Sequence, residues 1–197
     1  PEVYESYIEH EFKINDISCF FDKRAPLTIS PLYALLDCIM DCSVKFSTES
    51  VLRLLKTGLV LDFNDNCVSV LENYVYLWDI NGEAWLKEWE MDPTGFSKTE
   101  ESREFEIKEQ LENINYLRKK AVSIIQSFRE SFNGNVKSMS AACIDFLDNA
   151  GSSENMKNMI NTSKDIFSPE DIDVLRQSWD AIMNVFDGIV KCFGEDS

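Results

Sequence analysis

Histidine is nearly absent: the 197-residue chain has one, His10, in the run IEHEF. A single imidazole cannot supply a His-based metal site of the usual kind, and IEHEF is not the H-E-x-x-H pattern of a zinc protease. An ordinary helix-surface position is the reading for His10. Glycine is scarce too, with seven residues that stand singly, mostly at helix stops or turns. No G-x-x-x-x-G-K-[ST] run occurs, so the chain offers no phosphate-cradling loop for ATP. No apolar run reaches the ~20 residues that a bilayer span requires, and no charged-then-apolar N-terminal signal is present. The chain therefore reads as soluble and cytoplasmic, with no membrane partner. Positive charge is in short supply, 19 Lys+Arg against 35 Asp+Glu, for a net charge of −16. Such a balance repels phosphate backbones, so the chain alone is not expected to bind DNA tightly. It opens on Pro1 rather than Met, as an excised piece of a longer protein would.

What is present organises around Leu71 to Trp89, LENYVYLWDINGEAWLKEW, which holds Trp78, Trp85 and Trp89 of the four tryptophans. Leu71, Tyr74, Val75 and Trp78 follow helical spacing. Asn81-Gly82 reads as the stop, and Ala84 to Trp89 as a second short helix stacking Trp85 on Trp89. A corner built on such rings buries a large apolar area and invites other helices to pack on it. An aromatic core is the ordinary reading; a ligand-stacking platform is the sharper alternative.

Helical patterns dominate the rest. Glu2 to Phe12 places Val3, Tyr7, Ile8 and Phe12 on one side, and Ile17 to Phe21 (ISCFF) suits a short buried strand. A crossover at Asp22 to Pro26 then marks a boundary. Ser30-Pro31 and Ser168-Pro169 are helix starts, each a capping Ser with Pro at the first helical position. Ser47 or Thr48 caps the helix that Gly58 ends. Met91 to Ser102 is the clearest loop. The longest helix is expected over Arg103 to Phe132, followed by one from Val136 and a short one over Glu154 to Asn161. In the last helix Ile172, Leu175, Trp179, Ile182, Phe186, Ile189 and Phe193 fit a bundle-core helix better than a coiled-coil seam, since no second heptad offers a partner. The expected fold is mainly α: an irregular bundle of about seven helices with a small N-terminal helix–strand element.

Candidate chemistry is sparse. Cys38 and Cys42 share a helix face at i, i+4, yet no second Cys pair completes the four ligands of a structural metal or cluster site. The six cysteines read as reduced, mostly buried thiols. Glu100, Glu101, Glu104, Glu106 and Glu109 read as a solvated face, with no spacing that marks a two-metal site. Lys23-Arg24 and Arg118-Lys119-Lys120 could touch phosphate, but solvation or internal ion pairing is the commoner fate of such groups.

LENYVYLWDINGEAW resembles a segment of the B subunit of AddAB-type ATP-dependent helicase/deoxyribonucleases. NDISCFFDKRAPLTISPLYALLDC, VLRLLKTGL and VLRQSWDAIMNVFDGIVKCFGE resemble family runs in the same order, spanning about Pro1 to Glu195. The resemblance implies that residues 1–24 are the edge of a second motor-like (2A-type) domain and residues 25–197 a helical (2B-type) insertion. It implies a noncatalytic fragment of a protein that serves double-strand-break processing and recombinational repair. The partners it implies for the full protein are DNA and the nuclease/helicase A subunit. The family's nuclease residues and iron–sulfur cysteines lie in parts not present here. No catalytic residue, metal ligand or cofactor is therefore carried over, and Cys38/Cys42 does not match the cluster pattern. Lys23 and Arg24 are the candidates for local DNA contact. The alternative is a free-standing acidic helical module that binds a partner helix.

Overall fold

The computed structural model describes residues 2–19, 26–95, 104–162 and 168–193. Among them are eight α-helices: α1 Glu2–Ile14, α2 Pro31–Val44, α3 Thr48–Lys56, α4 Asp65–Leu77, α5 Glu104–Ser131, α6 Val136–Asn149, α7 Ser152–Thr162 and α8 Pro169–Phe193. Short 3-10 turns occupy Leu27–Ile29 and Gly82–Leu86. The mainly α architecture stands as expected.

The expected N-terminal strand does not. Ile17 to Cys19 is neither helix nor strand, and residues 20–25, with Lys23, Arg24 and the proposed crossover, lie outside the described residues. The local reason is the end of α1. Ile17 N–H donates to Phe12 C=O at 2.8 Å and Asp16 N–H to Lys13 C=O at 3.4 Å, with Asp16 at φ 50. This is a Schellman ending with Asp in the left-handed position. It spends the first N–H of the apolar run on the helix, and Ile17 is left 51% exposed.

Helix starts follow the capping residues. Ser30, Ser47, Asn64 and Asn135 each accept a backbone N–H at the head of α2, α3, α4 and α6. At α8, Ser168 Oγ accepts from Asp171 N–H while the Asp171 carboxylate accepts from Ser168 N–H, both at 3.2 Å. This reciprocal pair is a capping box. Ser47, not Thr48, is the α3 cap, which frees Thr48 for the core.

The core lies where α2 packs on α3, α5 and α8, where α4 packs on α3 and α5, and where α6 packs on α5, α7 and α8. Leu32, Leu35, Ile39, Val51, Leu71, Trp85 and Ile125 are fully buried in it. Helix α8 joins this core through Leu175 and Ile182, while Val185, Ile189 and Phe193 further along it are exposed. Helix α1 takes part in none of these main packings among the described residues, and Tyr4, Tyr7, Ile8 and Ile14 are exposed along it. His10 is exposed on the same helix.

Candidate functional site

The central stretch forms a corner, with a different break from the one expected. Helix α4 ends before Asn81-Gly82: Asp79 takes the left-handed conformation at φ 49, and Ile80 N–H reaches back to Val75 C=O at 2.9 Å. Both Ile80 and Val75 are buried, the apolar contact that accompanies such an ending. The second helix is a 3-10 turn, Gly82–Leu86, not a helix through Trp89. Trp85 and Trp89 still meet, edge to face with ring centroids 5.2 Å apart, and Tyr74 stacks on Trp89 at 5.0 Å.

Every indole N–H in the corner has an acceptor. Trp85 Nε1 donates to Thr48 Oγ1 at 2.9 Å, and Thr48 Oγ1 donates its own proton to the Ile80 carbonyl. Trp89 Nε1 donates to Ala84 C=O at 2.9 Å and Trp78 Nε1 to Asp92 C=O at 3.1 Å. Trp85 has no exposed surface and Trp89 only 3%, so no ring face of this pair is open to a ligand. The corner is core, as in the ordinary reading.

Arg118 is the residue that sequence reasoning misplaced. It is 4% exposed and lies beneath the corner, its guanidinium carbon 5.7 Å from the centre of the Trp89 ring. Nε donates to Asn115 Oδ1 at 3.0 Å and Nη1 to the Trp85 carbonyl at 2.8 Å. Burial lowers its pKa, with Glu88 opposing. Asn115 closes the arrangement by accepting Trp89 N–H at 3.0 Å and donating to Trp89 C=O at 2.7 Å. The signal lies in the helical phase: Asn115, Arg118, Val122 and Ile125 step by three and four along one face of α5. The other two cations of the triplet are tied to acids, Lys119 to Glu88 at 3.9 Å and Lys120 to Asp62 at 2.6 Å. The triplet is therefore divided between the core and two surface ion pairs rather than presented as one cationic face.

A groove of about 860 Å³ opens on the far side of α5. The segment between α3 and α4 forms one wall, α5 the second and α7 the third. Val60, Leu117 and Met159 supply apolar lining; Asn113, Tyr116, Lys120, Asn155, Asn158 and Thr162 supply polar groups. Lys120 Nζ lies 4.9 Å from the centre of the Tyr116 ring as well as against Asp62, and the Asp62 hydrogen bond raises its pKa. Nothing in the sequence points here, because the walls come from segments some fifty residues apart that only packing brings together.

No protein-family model matches the chain. The B subunit of the ATP-dependent helicase/deoxyribonuclease of Acetivibrio thermocellus is 33% identical over 199 residues, 98% of this chain. The protein of the same name from Clostridium botulinum strain Langeland is 32% identical over 99% of this chain, and that of Clostridium perfringens strain SM101 27% over 95%. The chain is homologous to a segment of these proteins. It spans 17% of the length of the first two and 16% of the third. With 98% of the chain matched, both the corner and the groove lie in the region shared with these relatives. A likeness of this extent to a stretch of much longer proteins does not favour the free-standing adaptor.

Unlike a cluster motif, the cysteine pair of α2 is closed off: Cys38 and Cys42 are both buried. Burial is the main cause that raises both thiols, Cys42 to about 12, and the same effect lifts Cys143 to about 11. Cys19 and Cys192 are exposed. Among the described residues no three His, Cys, Asp or Glu side chains converge as a metal site would need. Glu104, Glu106 and Glu109 are at or near the surface of α5, and Glu100 and Glu101 lie outside the described residues. No helix among the described residues is long and apolar enough to cross a membrane.

The thiols set an alkaline limit on stability. An unfolded thiol releases its proton near 9.0, whereas folded Cys42 and Cys143 keep theirs to about 12 and about 11. Between these values the unfolded chain binds fewer protons, so stability is whole below pH 9 and is lost as pH rises through the folded pKa values. Urea unfolding midpoints are expected to fall between about pH 8 and about pH 10.5, and the fall is expected to shrink in Cys42→Ala/Cys143→Ala. An equal fall in the double variant would assign the effect to other groups.

Proposed function

We propose that this chain is a noncatalytic helical segment of an ATP-dependent helicase/deoxyribonuclease B subunit that serves double-strand-break processing and recombinational repair in the cytoplasm. Its partners in the complete protein are DNA and the nuclease/helicase A subunit. The observation that carries the reading is the 33% identity over 98% of the chain. Residues 1–24 form the edge of a 2A-type motor-like domain and residues 25–197 a 2B-type insertion. In support, α1 leaves Tyr4, Tyr7, Ile8 and Ile14 exposed rather than adding them to the core of α2 to α8. The insertion acts by position, as a packed wall or hinge beside a basic channel built by other domains. Its own local DNA contacts are Lys23 and Arg24 at the junction.

The noncatalytic reading rests on the missing phosphate loop and the near absence of histidine. Purified chain incubated with ATP and linear DNA is expected to show neither hydrolysis nor cleavage; robust turnover would overturn the assignment. Titration of labelled single- and double-stranded DNA at two salt concentrations is expected to show weak binding or none, given the net charge of −16. Submicromolar, strongly salt-dependent binding would reveal a basic face that this reading lacks.

A further inference from the structure

The groove between α5 and α7 carries matched polar ladders. Asn113, Tyr116 and Lys120 stand at i, i+3, i+7 on α5, and Asn155, Asn158 and Thr162 stand at the same spacing on α7. Residues so spaced share one helix face. Asn113 and Asn158 are exposed and Asn155 half-buried, and none of the three side-chain amides is bonded to another described residue, so all three are accessible to a ligand. Each such amide offers two donors and two acceptor lone pairs, the complement of a peptide N–H beside a peptide C=O. Seven steps of helix rise about 10 Å, close to the length of three extended residues at about 3.3 Å each.

Charge selects the kind of strand. Lys120, the one cation lining the groove among the described residues, is already bonded to Asp62. Asp65 makes no ion pair among the described residues, and the whole chain carries −16. A phosphate backbone is repelled here, whereas a Lys or Arg side chain gains. Met159, half-buried at the groove wall over buried Val60 and Leu117, gives a side chain of an extended segment apolar surface to cover. We propose that this groove docks an extended, basic segment of a partner polypeptide, gripped through its main chain by Asn113 of α5 and by Asn155 and Asn158 of α7. The inference stands on the groove alone and does not depend on the helicase/deoxyribonuclease reading.

The test is fluorescence anisotropy on the 197-residue chain with fluorescein-labelled nonapeptides. One probe alternates Thr with Lys, a second alternates Thr with Glu, and a nine-nucleotide oligothymidylate is the third. The Thr-Lys peptide is expected to bind best and to shift the side-chain NH2 resonances of the groove asparagines. Asn155→Ala/Asn158→Ala keeps the charge constant and is expected to weaken that binding about tenfold, the worth of one or two hydrogen bonds. Asn113→Ala, on the opposite wall, is expected to act in the same direction and keeps the test independent of α7 folding. Asp187→Asn, exposed on α8, removes one charge elsewhere and should change binding less than about twofold. Unaltered binding in the asparagine variants would reduce the effect to general attraction by an acidic chain and overturn the proposal. Tighter binding of the oligothymidylate, or equal binding of the Thr-Glu peptide, would overturn it as well.

Discussion

Trp85→Ala is expected to lower the unfolding free energy by about 3–5 kcal/mol, the range for truncating a buried large aromatic. For a chain of this size that corresponds to a melting temperature lower by about 6–20 °C. The size of the loss follows from what the ring does. It is fully buried at the meeting of the α4 corner, α3 and α5, edge to face with Trp89 and tilted against Phe46 at 6.5 Å. Its N–H also feeds the chain from Thr48 to the Ile80 carbonyl. Two milder variants divide these contributions. Trp85→Phe keeps most of the apolar surface and is expected to cost about 1–2 kcal/mol. Thr48→Val keeps the shape but strands the indole N–H and the Ile80 carbonyl together, for about 2 kcal/mol. Urea unfolding followed by tryptophan fluorescence measures all three. A loss under about 1 kcal/mol for Trp85→Ala would mean that the corner is not where the core is held.

Arg118→Ala ranks second, at about 2–4 kcal/mol. The substitution leaves the Trp85 carbonyl without its guanidinium donor in a buried setting and removes the stem that packs under Trp89. Arg118→Met restores the stem and is expected to recover about half of the loss. Arg118→Lys is expected to recover less than the similarity of charge suggests. An ammonium is a compact charge, whereas the guanidinium fork reaches Asn115 and Trp85 at once. A double-mutant cycle with Asn115→Ala should show coupling of about 0.5–3 kcal/mol. Additive losses would contradict a shared network.

One of these two residues is legible in the sequence and the other is not, and the cause is specific. Helix starts are legible because a capping Ser or Asn acts within a few residues of its own position, as at Ser30 and Ser168. The span of α5 is legible because its apolar spacing is regular. The ordinary fate of Trp85 follows from ring size alone. Arg118 is hidden, because a charge marks the surface by default and outweighs its phase among Asn115, Val122 and Ile125. The end of α4 is displaced because Asp79 takes the left-handed position expected of Gly82. Ile17 to Cys19 looks like a strand by composition, but a strand needs a neighbour, and the α1 ending takes its first N–H. The groove is invisible because α5 and α7 meet across it only after folding. Lys23 and Arg24 remain candidates for DNA contact on the sequence argument, since they lie outside the described residues.

Asn115 bonds both the N–H and the C=O of Trp89, as a neighbouring strand residue would. Its side chain is thereby a surrogate peptide unit, presented from the middle of a helix to a stretch with no regular partner of its own. Exchange of the Trp89 amide proton with solvent then requires Asn115 to withdraw, and Arg118 is bonded to the same oxygen. That proton is expected to exchange slowly, in step with the separation of α5 from the corner, which would make an irregular segment a reporter of global opening.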